Sequence, residues 1–322
     1  MRREIGWGII GGGEVVERKS GPGFLIPGLS RVVSVVRRRY EDAVSTASRL
    51  GALSAYSNIS DLLRDPYVDA VYIATPPGLH YEQAAQCLIA GKPVYIEKPF
   101  TTSYDSACKL ISLSEKMSVP IYVAHYRRAI DRFTKIKDIV DCNIGEIFDF
   151  TLRLTRRLCD DAGHPWLYNV ALSGGGKFAD IAPHSIDLLT YYFGRADFIG
   201  ASTRHIKSPN GREDCVAIAF GFSSGVIGTA SYNFMGTEKA DFVEIFAEFG
   251  SVNFSVHGER DVVVNYKSGT SEVIKSPLPN IIEGPMIVEV VRDICGIGGK
   301  PCYGKDALET VRIMECVLNT LR

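Results

Sequence analysis

Two patterns of apolar and polar positions divide the chain near residue 125. Before that point, short apolar runs rich in Val, Ile and Tyr occupy residues 4–10, 32–36, 70–74, 93–96 and 120–124. They lack polar alternation, which predicts strands buried on both faces. Helical spacing fills the intervals at 40–50, 59–64, 79–90 and 103–117. Strands and helices in turn predict a doubly wound parallel sheet.

Beyond residue 125 a helical stretch over 127–140 gives way to β-rich runs. These cover 146–157, 197–206, 214–222, 225–234, 241–248, 250–256 and 260–266. Turns such as Ser223-Ser224-Gly225 and Phe249-Gly250-Ser251 suit antiparallel hairpins. A helix begins near Pro183, whose ring is pre-set for a first helical turn. Helices over 284–296 and 305–321 close the chain. The expectation is an α/β domain over 1–124, then an α+β domain over 125–322 with a large, mostly antiparallel sheet. A length of 322 residues also favours two domains.

Candidate chemistry starts where the first strand ends, at Gly11-Gly12-Gly13-Glu14-Val15-Val16. Gly11 and Gly13 permit a tight turn and close approach of backbone to a pyrophosphate. Glu14 and Val15 open the following helix, whose N-terminus faces the phosphates. Val16 stands where this dinucleotide fingerprint places a third small residue. The second strand ends in Arg37-Arg38-Arg39, with no acid before Glu41. An NAD site usually carries an acid there for the ribose 2′-hydroxyl. Arg37 and Arg38 suit a 2′-phosphate instead, which favours NADP and keeps NAD as the alternative. Thr75, Pro76 and Pro77 form a rigid loop after another strand and would line the cofactor groove. His80 is either a cofactor neighbour or a residue that caps and packs the next helix.

The apolar run Val94-Tyr95-Ile96 delivers Glu97 and Lys98 to its end, and Pro99 stops it. Ligands sit at the carboxyl ends of strands in open α/β sheets. Glu97 and Lys98 are therefore assigned to the cofactor groove, and Lys98 can also reach a substrate oxygen. Farther on, Gly174-Gly175-Gly176 precedes Asp180, His184 and Asp187. Asp180 and His184 flank a proline-started helix at a spacing that lets both reach one pocket. Histidine suits proton transfer near neutral pH, and Asp187 could orient its ring.

With these residues in view, the chain resembles the glucose–fructose oxidoreductase, inositol dehydrogenase and rhizopine-catabolism (Gfo/Idh/MocA) family over nearly its whole length. Gly8-Ile9-Ile10-Gly11-Gly12-Gly13 is similar to the family's first strand and phosphate loop. Glu97-Lys98-Pro99 matches its hallmark tripeptide, and Gly174-Gly175-Gly176 with Asp180 and His184 resembles its second-domain signature. Trp166 and Tyr126-Arg127-Arg128 fit as well. Two departures are Val16 and Ala182, the latter where the family usually has Gly.

The resemblance implies an N-terminal Rossmann domain and a dehydrogenase or reductase acting on a secondary hydroxyl or carbonyl of a sugar, polyol or related small molecule. It assigns His184 as general acid/base, Lys98 to the reacting oxygen and Asp180 to orienting the pair or holding a neighbouring hydroxyl. Tyr126, Arg127, Trp166, Asp180 and His184 become substrate residues. His125, Arg156, Arg157, His164 and Tyr168 are further rim candidates. It also implies a homodimer or homotetramer built through the C-terminal sheet. A non-catalytic NAD(P)-binding regulator is the competing reading, since folds of this kind are reused.

Composition narrows the remaining classes. Lys and Arg (36) nearly balance Asp and Glu (37), so a general nucleic-acid binder is not expected. No apolar run approaches the ~20 residues of a membrane span. The N-terminal stretch lacks a signal peptide's apolar region, so a cytoplasmic protein is expected. The eight cysteines form no Cys-x-x-Cys pair and sit mostly in apolar contexts. They read as small buried hydrophobes, and no metal site is expected.

Overall fold

The computed structural model describes residues 4–156, 165–208 and 212–320. In chain order the first elements are β1 (Ile5–Gly11), β2 (Ser30–Val36), α1 (Tyr40–Leu50), β3 (Ser54–Tyr56), α2 (Ile59–Arg64) and β4 (Ala70–Ala74). They continue with α3 (His80–Ile89), β5 (Val94–Ile96), α4 (Tyr104–Met117) and β6 (Ile121–Val123).

The six strands pair in the order β3-β2-β1-β4-β5-β6, all parallel. Trp7, Ile9, Tyr72, Ile73, Tyr95 and Ile96 are fully buried, as strands covered on both faces require. The order reverses between β1 and β4. That reversal is where an open α/β sheet forms its ligand crevice.

The chain after β1 departs from the expected regular helix. It winds as a π-turn over Val16–Ser20 and a 3-10 turn over Gly21–Phe24. Pro22 lacks an N–H and cannot extend an α-helical ladder. A Cβ on Gly21 would lie 2.3 Å from the Val16 carbonyl oxygen and 2.8 Å from a Leu50 methyl. The close approach that a small third fingerprint residue serves thus falls at Gly21, which accommodates Val16.

The second group holds α5 (Asp131–Asp138), β7 (Ile147–Thr155), α6 (Val170–Ser173), α7 (Lys177–Ile181), α8 (Pro183–Phe193) and β8 (Ala196–Arg204). The strands β9 (Cys215–Phe222), β10 (Ile227–Asn233), β11 (Ala240–Ala247), β12 (Gly250–Phe254), β13 (Val262–Tyr266) and β14 (Ser271–Ile274) follow. They form one sheet in the order β14-β13-β12-β11-β7-β10-β9-β8. Neighbours are antiparallel except β7 and β10.

One face of this sheet is sealed by aromatic packing. Phe193 of α8 stacks on Phe150 of β7 at 5.3 Å between centroids, and Phe220 and Phe222 complete the cluster. On the other face Phe198, Ile227, Phe246 and Val273 are exposed. Two helices, α9 (Gly284–Ile294) and α10 (Gly304–Leu318), end the chain.

The compact units are discontinuous in sequence. The first holds residues 1–130 and 279–308, and the second holds 131–278 and 309–322. Within the first, the Tyr122 and Tyr303 hydroxyls each donate to Asp293 at 2.8 Å, and Val123 N–H donates to Cys302 O at 2.9 Å. These bonds tie the returning segment 279–308 to the edge strand β6.

Among the described residues no helix is long and apolar enough to cross a membrane, and no group of His, Cys, Asp and Glu could hold a metal ion. The cysteines are not uniformly buried. Cys87 and Cys302 are buried, but Cys142 and Cys316 are exposed and Cys108, Cys215 and Cys295 lie between. Cys142 and Cys316 sit on outward positions of their helical turns, which a run of apolar neighbours does not reveal. Cys159 lies outside the described residues.

Candidate active site

The phosphate loop sits at the sheet reversal. Gly11 has φ +106°, and a Cβ there would meet the Ala74 carbonyl oxygen at 2.5 Å, so only glycine fits beside β4. A Cβ on Gly13 would meet nothing within 4 Å. The loop therefore presents open backbone at its tip, the geometry a pyrophosphate needs. Glu14, in contrast, is exposed and accepts from Arg18 Nη1 at 2.8 Å. Val15 begins the winding.

Beside the loop, Arg37 lays its stem along Gly12, where a Cβ would lie 2.8 Å from Arg37 Cδ. Its Nη1 donates to Thr46 Oγ1 at 3.1 Å. Arg38 is exposed, and Arg39 is 4.0 Å from Glu41. No carboxylate stands between Val36 and Glu41.

The β4 and β5 ends are joined by His80. Its ring is fully buried, with Nε2 2.8 Å from Thr75 O and Nδ1 3.0 Å from Pro99 O. Burial lowers its pKa, while the facing carbonyls oppose that. The imidazole is occupied by the protein's own backbone. It bears on the groove through the two loops that it joins. Thr75 Oγ1 donates to Gln83 Oε1 at 2.6 Å, Pro76 is partly exposed and Pro77 is buried.

Glu97 is buried rather than open to a groove. Tyr72 OH donates to its Oε1 at 2.6 Å, and the Lys98 N–H donates to Oε2 at 3.2 Å. Lys98 is partly exposed at the strand's carboxyl end. Tyr126 and Arg127 follow β6 in a 3-10 turn, both buried, with the guanidinium carbon 5.0 Å from the Tyr126 ring centroid.

In the second unit, Asp180 lies on α7 and His184 in the first turn of α8. Ala182 keeps right-handed helical backbone between them (φ −65°, ψ −29°). The two side chains are thus about one helical turn apart along an almost continuous helix. His184 is buried, and Asp180 is partly exposed. Asp187 Oδ1 accepts from Thr310 Oγ1 at 3.3 Å. Trp166 is partly exposed in a 3-10 turn over Pro165–Tyr168. Arg157 and His164 lie outside the described residues, as does the Tyr168 side chain.

Three further residues shape these clusters. Glu213 is fully buried and accepts from the N–H groups of Gly176 at 2.7 Å and Ala179 at 3.2 Å. It anchors the start of α7. Burial raises its carboxyl pKa, and those N–H donors pull it back. A Cβ on Gly176 would lie 2.7 Å from Arg212 Cβ, which favours glycine at that position.

His257 meets His184 edge to face, with centroids 5.7 Å apart. Its turn is fixed by Asp241, whose carboxylate accepts from the N–H groups of Val256, His257 and Gly258 at 3.0, 2.8 and 2.6 Å. The third is Glu283, at the start of α9, whose carboxyl is buried and is pushed up by that burial and by the charge of Glu97. None of the three sits in a recognisable motif. For His257 the only available signal was its rarity, since the chain has six histidines.

Comparison with known proteins agrees with both halves. Residues 5–125 match the model of an oxidoreductase family with an NAD-binding Rossmann fold, and residues 133–262 match the GFO/IDH/MocA C-terminal domain. Oxidoreductase P35 of Formosa agariphila is 33% identical over 325 residues, covering 99% of this chain and 100% of that protein. A levoglucosan dehydrogenase in complex with NADH and levoglucosan superposes with a TM-score of 0.85 at 21% identity, covering 99% of this chain and 97% of that one. The 3-ketoreductase KijD10 of Actinomadura kijaniata, in complex with NADP, gives 0.85 at 20%, with 99% and 98% covered. Family models over both halves and a full-length relative lead to one conclusion: the chain belongs to the GFO/IDH/MocA family of NAD-binding oxidoreductases.

Proposed function

We propose that this chain is an NADP-dependent dehydrogenase or reductase that moves a hydride between nicotinamide and a secondary hydroxyl or carbonyl carbon of a sugar, polyol or related small molecule. The observation that carries this reading is Lys98 at the carboxyl end of β5, in a sheet whose order reverses at an open glycine loop. When bound, the nicotinamide supplies the hydride acceptor or donor. Gly11 and Gly13 would hold the pyrophosphate, and Arg37 and Arg38 the 2′-phosphate, where no carboxylate competes. Lys98 donates to the reacting oxygen and stabilises negative charge developing there. His184 takes the hydroxyl proton in oxidation and returns it in reduction, and Asp180 orients the substrate. Related structures hold NADH in one case and NADP in another, so cofactor choice rests on β2.

Calorimetry with NADP(H) and NAD(H) tests that choice. NADP(H) is expected to bind at least ~10-fold tighter, and replacing Arg37 and Arg38 together by Ala should remove most of that preference. Tighter NAD(H) binding by the natural chain would discard the arginine assignment. A panel of sugars and polyols, followed by nicotinamide absorbance in both directions, then tests turnover.

We also propose a homo-oligomer formed through the outer face of the eight-stranded sheet. Phe198, Ile227, Phe246 and Val273 place apolar area there, and a sheet of this size buries its second face best against another copy. Light scattering at micromolar concentration should return at least twice the monomer mass of 35.3 kDa. A monomer would refute a stable dimer.

A further inference from the structure

The turn between β12 and β13 has no regular secondary structure, yet its backbone is held from two sides. Asp241, near the start of β11, accepts from the Val256 N–H through Oδ1 and from the His257 and Gly258 N–H groups through Oδ2. The Arg132 guanidinium, on α5, donates to the Gly258 carbonyl at 2.8 Å. That guanidinium is itself fixed. Its Nε and Nη2 donate to Ser276 O, and the Ser276 hydroxyl donates to Asp131 Oδ2 at 2.9 Å. Four bonds to charged groups thus fall on residues 256–258, and such bonds are about twice as strong as neutral ones. Ser255 and Val256 are buried, while His257 is partly exposed. The anchoring sets the direction in which the His257 side chain leaves the turn.

That side chain ends on His184. The two rings meet edge to face, with centroids 5.7 Å apart and planes at 75°. This is a favoured geometry for ring pairs. Both residues belong to the second unit, so the contact is complete within it. A histidine ring needs a neighbour to hold its direction. Its χ2 is a broad, two-fold torsion, so a ring on a fixed helix backbone can still turn over. A turned ring presents carbon where nitrogen is wanted, and proton transfer requires nitrogen within hydrogen-bond reach of the oxygen. The His184 ring is also buried, at 8% exposure, with the more open His257 ring against it.

We propose that His257 is a positioning residue for His184: the pinned turn holds the His257 ring against the His184 ring, which fixes the direction of the His184 nitrogens and covers that ring from water. The acid/base role of His184 rests on the proposed function, but the contact between the rings does not.

Diethyl pyrocarbonate labelling, read by mass spectrometry, tests the cover. In His257→Ala, His184 should be labelled severalfold faster than in the natural chain, with exposed His205 unchanged. His257→Phe keeps a ring and should restore slow labelling. Equal His184 rates in the natural chain and the Ala variant would overturn the proposal, and so would fast labelling in the Phe variant. If the Ala variant does not fold, His257→Asn replaces it, with fast labelling again expected and an unchanged rate again decisive against the proposal.

Steady-state kinetics tests the direction of the ring. With a substrate that the natural chain turns over, His257→Ala should lose ~10-fold in kcat while KM changes less than about threefold. His257→Phe should recover most of that kcat, a rescue that a merely structural role would not produce. A raised KM with kcat unchanged would overturn positioning, because His257 would then bind the substrate itself. The labelling needs no turnover, so absence of turnover with every sugar and polyol would sink the proposed function alone.

Discussion

Replacing Lys98 by Met should lower kcat by about three orders of magnitude while leaving the dissociation constant of NADP(H) nearly unchanged. The stem length and apolar surface are kept, and only the ammonium is lost. β5 is anchored by Val94, Tyr95 and Ile96, all fully buried, so the strand survives the change. What disappears is a cationic donor to the oxygen on which charge builds as the hydride leaves or arrives. A thousandfold loss corresponds to about 4 kcal/mol of transition-state stabilisation, within the range for a charge-assisted donor in a dry site. Steady-state kinetics with calorimetry on the same preparation separates the two parameters. Near-normal turnover would remove Lys98 from the chemistry.

Arg132→Met should destabilise the second unit by about 3 kcal/mol. The guanidinium is 1% exposed and serves the backbone. Nη1 donates to Gly258 O at 2.8 Å, and Nη2 and Nε donate to Ser276 O at 2.9 and 3.2 Å. Met fills a similar volume but supplies no donors, so two buried carbonyls lose charge-assisted partners. The same turn is held from its other side by Asp241 and presents His257 to His184. Loss of stability should therefore come with a severalfold lower kcat and unaltered cofactor affinity. Urea denaturation gives the first quantity. An unmoved midpoint would show that the carbonyls find other donors.

Some of this molecule was readable in one dimension and some was not. The parallel sheet was legible because runs such as Val32–Val36 and Ala70–Ala74 carry no polar alternation. The short strands β3 and β14 carry no such signal. Ser54–Tyr56 and Ser271–Ile274 are three and four residues long, contain no fully buried residue and offer no apolar run.

At α9 the stripe of Met286, Ile287, Val290 and Val291 announces a buried face, but periodicity does not say which sheet that face covers. The chain's return to the first unit is a tertiary fact with no linear mark. The same limit applies to single residues. Gly11, Lys98, Asp180 and His184 stood out by residue type and spacing. Glu283 precedes Gly284 and Pro285 and reads as an ordinary helix start. Its burial is a product of tertiary packing that no local pattern marks.

That return also orders events during synthesis. Residues 1–130 leave the ribosome first, yet the segment that binds β6 through Asp293, Cys302 and Tyr303 is made only after the whole stretch 131–278. A nascent chain halted before residue 279 would hold its six strands without α9 and without the segment that bonds to β6. The part made first is therefore completed late, and neither unit closes until residues 279–322 have been made.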